Sequence, residues 1–580
     1  MAVSPTFPSR AALRRRGFRP LDLVVAAAVL LLVYGVLRLG RSAAVSFTPS
    51  QLSTLDTSPA LLPYYAARSL LRMFIALVFS YAFSFAYAYA AAHSRRARRV
   101  LIPALDILQS VPVLGFLSVT IIFFISLFPG SELGLEAASI FAVFTAQAWN
   151  ITFSFYHSLI TEPAEFDEAS RLLGLSRWKR FWTLDVPNGA IGLVWNGMMS
   201  FGGSWFFLTA SEQISVLNRN YTLPGIGSYV GVASAKGQLG NVLLAMLTMV
   251  VLVLLVNVVF WRPLIAYVER FRVEQSEATD KQRSLVLDAL RRSHWPALLG
   301  RARRSVARPV NRALGVVTGT DDRSLTVRAG RRRAGDVGFT ILVVGAVGFG
   351  LYSMLTFIAA GPAGIGVLPE TLGLGFLTFA RVAILVVVAS VIWVPVGVWI
   401  GFNPRVARFM QPVIQLLASF PANFLFPFVI LVFIDLNVSL DFGGILLMAL
   451  GTQWYILFNV IAGASAVPSD LREAMDNLGV RGWTRWKRLI LPGIFPAYVT
   501  GAITASGGAW NASIVAETVE YHGRIINAHG LGAFIAGATS RGDFHAIFAG
   551  ILVMCVYVVG INTVLWRRLY RLAETRYALG

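Results

Sequence analysis

The chain has 580 residues, 56% hydrophobic and only 14% charged, with 50 Lys and Arg against 29 Asp and Glu for a formal charge of +21. Apolar runs near twenty residues exclude a soluble globule, because about 20 apolar residues at a 1.5 Å rise cross the hydrocarbon core of a bilayer. The runs are long rather than alternating, and lipid offers the backbone no hydrogen-bond partners, so the spans are expected to be helices rather than barrel strands.

A basic segment, 1–21, carries Arg10, Arg14, Arg15, Arg16 and Arg19 ahead of the first apolar run, Leu21 to Leu39. No small-residue cleavage site follows that run, which reads as a retained first helix. Twelve spans are expected. In the first half (22–261) they lie near 22–40, 66–92, 101–128, 136–160, 189–212 and 240–261; in the second (337–567), near 337–358, 371–401, 410–434, 442–464, 494–516 and 544–566. Arg95, Arg96, Arg98 and Arg99 follow span two, and Arg171, Arg177, Lys179 and Arg180 follow span four, whereas loops 41–65 and 129–135 are nearly free of positive charge. By the positive-inside tendency, the segments after spans two and four and both termini, including a tail at 568–580, face the cytoplasm. The positive charge is therefore read as a topology signal and an anionic-lipid contact rather than a nucleic-acid site. Six spans per half place the halves in parallel, related by an axis along the membrane normal.

The polar stretch 262–336 between the halves holds 17 Lys and Arg against 8 Asp and Glu. Amphipathic helix is expected over Arg270 to Leu299, and a basic loop from Arg301 to Arg333. A tether lying on anionic headgroups and a regulatory domain both fit. The single cysteine, Cys555, falls inside an apolar run, so neither an internal disulfide nor a cysteine metal site is available.

The halves repeat in an ungapped register of 305 residues. Trp149 matches Trp454, Pro163 matches Pro468, Glu168-Ala169-Ser170 matches Glu473-Ala474-Met475, Gly174 matches Gly479 and Pro187 matches Pro492. The string Gly202-Gly203-Ser204-Trp205 recurs as Gly507-Gly508-Ala509-Trp510, while Glu212, Gly225, Gly227 and Gly237 recur as Glu517, Gly530, Gly532 and Gly542. Two copies imply two equivalent tasks. In the segments 161–187 and 467–492, a proline in the first turn and acidic residues suit a helix start, and Gly174 and Gly479 suit a left-handed stop. A second short helix is then expected to end at Pro187 or Pro492. The product is a rigid knuckle outside the bilayer.

These residues resemble the EAA loop of binding-protein-dependent ABC importer permeases: Glu168-Ala169 with Gly174, Phe181, Leu184 and Pro187, and Glu473-Ala474 with Gly479, Trp486, Leu489 and Pro492. Gln109-Ser110-Val111-Pro112, Ala418-Ser419-Phe420-Pro421, Gly225-Ile226-Gly227-Ser228-Tyr229 and Gly530-Leu531-Gly532-Ala533-Phe534 are similar to the nitrate/sulfonate/taurine/bicarbonate branch of that family, here with two permease subunits fused. The third motif residue departs from the family's alanine in both copies. The resemblance implies an all-α membrane protein of the type I importer permease fold. It implies that Glu168, Ala169, Gly174, Pro187, Glu473, Ala474, Gly479 and Pro492 couple the chain to two ATPase subunits, expected as a homodimer. It also implies a solute-binding protein outside the cytoplasm and a location in the bacterial inner membrane. No G-x-x-x-x-G-K-[ST] loop occurs in the sequence; ATP and Mg are expected in the partner subunits, with no cofactor or metal and no catalytic site in this chain.

For the substrate path, Ser110, Gly203, Trp205, Ser419, Gly508, Trp510 and Asn511 are candidates, since glycine pairs expose backbone or permit close packing and an indole offers one donor beside an apolar wall. Phe206-Phe207 stands where the second copy has Asn511-Ala512, and Thr209 where it has Ile514, so a central solute meets unlike walls. A small polar or anionic solute held mainly by uncharged donors is expected, such as nitrate, a sulfonate, taurine or bicarbonate. Glu212 and Glu517 are read as solvated or gate-forming carboxylates near the outer ends of the fifth spans, and Arg72 and Arg381 as snorkelling or anion-attracting groups. An ion-gradient carrier would need ionisable groups deep in its spans, where this chain has almost none. A membrane enzyme would need a catalytic constellation, and the histidines show no repeated spacing with glutamate that suits a metal. Export rather than import is disfavoured only by the loop motif.

Overall fold

The computed structural model describes residues 55–109, 112–216, 219–271, 287–288, 329–521 and 524–576. Segment 1–21, the expected span at 22–40, most of the linker, Ser110 and His522 lie outside these residues. The chain divides into two compact units, one of residues 1–42, 161–194 and 255–324, the other of 43–160, 195–254 and 325–580.

In chain order the first repeat runs through α1 (Leu62–His93), α2 (Arg95–Leu108), α3 (Leu117–Leu127), α4 (Leu133–Ile160), α5 (Ala164–Leu172), α6 (Arg177–Arg180), α7 (Val186–Glu212), a hairpin of β1 (Gln213–Val216) and β2 (Arg219–Thr222), α8 (Ile226–Ala235), α9 (Leu239–Val256) and α10 (Arg262–Val268). After α11 (Ala329–Ala359) the second repeat has α12 (Val367–Phe402), α13 (Pro404–Ser419), α14 (Phe426–Asp435), α15 (Leu440–Ala466), α16 (Ser469–Asn477), α17 (Gly482–Arg485), α18 (Leu491–Ala516), β3 (Thr518–Tyr521), β4 (Arg524–Asn527), α19 (Leu531–Arg541), α20 (Phe544–Ile561) and α21 (Arg567–Arg576). The sequence register is a structural register: α5 and α16 begin at residues 164 and 469, which differ by 305, as do β1 and β3 at 213 and 518.

The fold is helical, with two departures from expectation. Among the described residues, seven helices are long and apolar enough to cross a membrane, or eight if one bent pair counts as a span, and the first of the twelve expected spans lies outside those residues. Helices α4 and α7 are 28 and 27 residues long but interrupt their apolar faces with Ser, Thr, Asn, Gln and Gly. The expected third spans of each half are not single helices. Pro112 and Pro421 sit in extended backbone between α2 and α3 and between α13 and α14, each followed by a 3-10 turn, at Val113–Gly115 and Ala422–Leu425, and α13 and α14 meet at 80°. A proline removes a helical N–H and clashes with the preceding turn. The expected end at Pro187 and Pro492 is also replaced: α6 and α17 continue through π-helical turns, Phe181–Asp185 and Trp486–Ile490, into α7 and α18. The i→i+5 bond from Val186 N–H to Phe181 O, and that from Leu491 N–H to Trp486 O, widen the ladder where each proline ring would otherwise strike it.

The two hairpins are antiparallel, pairing Gln213 with Thr222 and Thr518 with Asn527. They reverse the chain while satisfying its backbone, and Leu223 and Ala528 N–H return to the terminal carbonyls of Glu212 and Glu517 at 2.9 and 2.8 Å.

Helix pairs in the second unit approach through small residues, as expected where lipid supplies no hydrophobic drive. Ser84 Oγ meets Thr152 Oγ1 at 2.8 Å between α1 and α4. At Gly401 of α12, an added Cβ would lie 2.7 Å from the Cβ of Ala464 on α15. An apolar core of Leu114, Leu117, Phe426, Ile430, Leu447, Trp510 and Ile514 gathers around the two proline breaks.

Candidate functional site

Each knuckle is built by its glycine. Gly174 and Gly479 adopt φ of +57° and +66°, the left-handed region. The turn closes helix α5 through Gly174 N–H to Arg171 O (3.0 Å) and Leu175 N–H to Ser170 O (3.0 Å), and α16 through Gly479 N–H to Asp476 O (3.1 Å) and Val480 N–H to Met475 O (2.9 Å). Pro163 and Pro468 stand one place before the first helical residue as the caps. Past the turn, Arg180 bonds Glu162 at 3.1 Å, Asp185 at 3.4 Å and Ser170 at 3.5 Å, so the serine replacing the family's alanine faces the return helix. In the second copy Arg485 bonds Asp476 at 2.6 Å instead. Glu168 and Glu473 are exposed. So are Leu172, Leu173 and Leu478 at 88%, 73% and 77%, and Trp483 at 73%, a large apolar presence around acidic helices.

At the far ends of α7 and α18 lies a pair of polar clusters, each built around a fully buried glutamate. Arg72 Nη1 donates to Glu212 Oε1 at 2.7 Å, and Arg381 Nη1 to Glu517 Oε1 at 2.8 Å. Both carboxylates are fully buried and accept from the first turn of the following helix, Gly227 N–H at 2.7 Å and Gly532 N–H at 2.8 Å. A carboxylate suits those orphan donors and the positive end of the helix dipole. Ser69 and Thr378 hydroxyls complete the set: each donates to its carboxylate (2.5 and 2.8 Å) and accepts from Ile226 or Leu531 N–H (3.0 and 2.9 Å). A Cβ at Gly225 or Gly530 would overlap the carboxylate, which explains the glycines of both motifs. Snorkelling is thereby replaced for Arg72 and Arg381 by pairing in the interior, since a buried guanidinium needs a counter-charge and filled donors. The third member differs between copies. Glu136 binds Arg72 through two oxygens and also bonds Arg68, whereas Asp441 binds Arg381 at 2.8 Å and His529 at 3.0 Å.

Two cavities are stacked along α7 and α18 within the second unit. The larger, of about 480 Å³, is walled by Leu114, Phe424, Phe426 and Ile514 and carries Thr209, Asn423, Thr518, Glu520, Asn527 and Arg541. The smaller, of about 200 Å³, is lined by Gln109, Asn150, Tyr455, Ser506, Trp510 and Asn511. Between them runs the 3-10 turn Val113–Gly115, with Val113 N–H held by Asn511 Oδ1 at 2.7 Å. The other break is held from the opposite repeat, Asn423 Nδ2 meeting Thr209 Oγ1 at 3.0 Å.

Of the seven path candidates, Gly508, Trp510 and Asn511 line the smaller cavity. Trp510 is stacked on Tyr557 at 5.9 Å, and its buried indole N–H has no partner. Trp205 is packed edge-on against Phe201 at 5.8 Å. A Cβ at Gly203 would lie 2.9 Å from the Tyr455 hydroxyl, and one at Gly202 would strike Ser419, so these two glycines let α7 approach α13 and α15. Trp205, Gly203 and Ser419 line neither cavity, and Ser110 lies outside the described residues. The reading from sequence missed Ser69, Thr378, Glu136 and Asp441. Its available signal was the repeat itself, because Ser69 and Thr378 share the 309-residue offset of Arg72 and Arg381, and Glu136 and Asp441 share the 305-residue offset of Glu212 and Glu517.

The family described as the binding-protein-dependent transport system inner membrane component matches this chain over residues 57–265 and 393–578. Nitrate import permease protein NrtB of Synechococcus elongatus is 27% identical over 192 residues, 33% of this chain and 64% of its own. Putative aliphatic sulfonates transport permease protein SsuC of Bacillus subtilis is 29% identical over 161 residues, 28% of this chain and 55% of its own. Taurine transport system permease protein TauC of Escherichia coli is 27% identical over 183 residues, 31% and 62%. The chain thus spans less than two thirds of the length of these relatives, and each covers about a third of this chain.

Proposed function

The chain belongs to the family of binding-protein-dependent transport system inner membrane components, as a fused double permease, and from that premise we propose that it forms the translocation path of an ATP-driven importer. Each knuckle seats in a groove of a separate ATPase subunit, and ATP and Mg are held there rather than in this chain. Closure of the ATPase pair on nucleotide moves the knuckles as rigid bodies and alternates access to the path. The single observation that carries this reading is the repeated knuckle: two left-handed glycines, each placing an exposed glutamate and an exposed leucine on a short acidic helix.

The two cavities are the natural resting places of the solute, and the turn at Val113–Gly115 with its Asn511 bond is the partition it must pass. A small polar or anionic solute fits the smaller through uncharged donors alone. Relatives named for nitrate, aliphatic sulfonates and taurine support that class. Glu212 and Glu517, as buried anchors of α8 and α19, would fix the outer ends of the path rather than swing as gates. A solute-binding protein delivers the substrate, both termini are cytoplasmic, and the linker 262–336 is a tether on anionic headgroups.

The test is reconstitution of the full chain with its ATPase partner in vesicles. Uptake must require ATP, and reversing charge at both Glu168 and Glu473 to lysine must abolish ATPase association while leaving the purified chain folded. Uptake driven by an ion gradient without nucleotide, or unimpaired uptake by the double variant, refutes the reading.

A further inference from the structure

Among the described residues, the larger cavity carries two opposite charges, both from the second repeat. Glu520 on β3 and Arg541 at the end of α19 both line it, both reach solvent, and no ion pair joins them. Every other described residue lining it is uncharged. At the equivalent positions of the first repeat, 305 residues earlier, Glu520 is replaced by the uncharged Ser215, and Lys236, the counterpart of Arg541, does not line the cavity. The pseudo-symmetry is therefore broken here, placing both signs of charge on the second repeat.

The same cavity holds hydroxyls that lack partners. Ser234 Oγ on α8 and Thr518 Oγ1 on β3 are buried without a hydrogen bond from the protein, and both line it. Buried polar atoms are nearly always satisfied, so two orphans in one cavity point to a guest with hydrogen-bonding groups. The remaining wall is apolar, with Phe424, Phe426, Leu117 and Val519. A volume of about 480 Å³ exceeds what a bare inorganic oxyanion fills and falls in the range of organic ligands.

Resting on the permease reading above, we infer that this cavity selects a zwitterionic organic solute, its anionic group on Arg541 with the neighbouring hydroxyls and its cationic group on Glu520. A simple anion gains Arg541 but meets the like charge of Glu520, and a simple cation meets the reverse. Only a solute with both signs uses both side chains, and like-charge juxtaposition is what rejects the others. The apolar walls accommodate the short carbon chain that separates the two groups.

The test is equilibrium binding by calorimetry to the full-length chain in lipid nanodiscs, with no ATPase present. The probes are paired: 2-aminoethanesulfonate against ethanesulfonate, and trimethylglycine against 3,3-dimethylbutyrate. At least one zwitterion should bind about tenfold or more tightly than its partner that lacks the cationic group. Glu520→Gln should erase that preference by weakening the zwitterion and strengthening the anion, Arg541→Gln should weaken both, and Arg541→Lys should retain binding. Equal or tighter binding of the plain anions, a preference unchanged in Glu520→Gln, or no binding of any probe overturns the inference. ATP-dependent uptake by the whole complex is read separately. Zwitterion binding without ATP coupling would refute the importer reading alone, and ATP-coupled uptake of a plain anion would refute only the selectivity.

Discussion

Glu212 and Glu517 occupy the same place in the repeat, yet their neutralisation should have unequal consequences. Glu212→Gln leaves Arg72 with Glu136, a carboxylate that Arg68 also bonds, in a site where all three side chains are at most 7% exposed. Glu517→Gln leaves Arg381 with Asp441, a one-to-one pair whose carboxylate is a third exposed and screened by solvent. Breaking a buried pair by removing one partner costs about 3–5 kcal/mol, chiefly because charge is left uncompensated, so the first variant should lie in that range. In the second the charge remains balanced, and the loss is mainly that of weakened bonds from Thr378, Gly532 and Ala533, about 1–3 kcal/mol. Thermal unfolding of each full-length variant in nanodiscs, followed by tryptophan fluorescence, should give a larger fall in midpoint for Glu212→Gln. A larger fall for Glu517→Gln, or equal falls, would refute the argument from the third carboxylate.

Gly530→Ala should unfold the outer end of the second repeat, because its Cβ would overlap the Glu517 carboxylate; Gly240→Ala, with no heavy atom within 4 Å of the added Cβ, should leave the same fluorescence transition unmoved. Gly479→Ala meets no clash but must hold a left-handed φ of +66°, costing about 1–2 kcal/mol locally, which hydrogen exchange at Leu478 to Val480 should detect as faster opening. Asn511→Ala leaves the buried Val113 N–H without its 2.7 Å acceptor, at about 1–3 kcal/mol, and should loosen the partition between the cavities, measured as increased basal solute leak through reconstituted protein.

The knuckles were legible in one dimension because they are local: a cap, a helix of nine residues and a left-handed glycine are all set by neighbours in sequence, and the two copies agree at every one of those positions. Composition likewise fixed the solvent and the helical class. The π turns were not legible, since Pro187 and Pro492 read locally as stops and only a continuing helix beneath them demands a wider ladder. The hairpins after α7 and α18 were also hidden, being four-residue strands of mixed polarity that close only upon each other.

What the sequence determined by itself is the duplication, the membrane as solvent and the shape of the knuckle, because hydropathy, glycine and proline act through nearest neighbours. What only the tertiary structure decided is which distant groups meet. Arg72 and Glu212 stand 140 positions apart, and Val113 and Asn511 stand 398 apart; a charge that looks fit for solvent along the chain becomes a buried anchor only when the partner helix delivers its counter-charge.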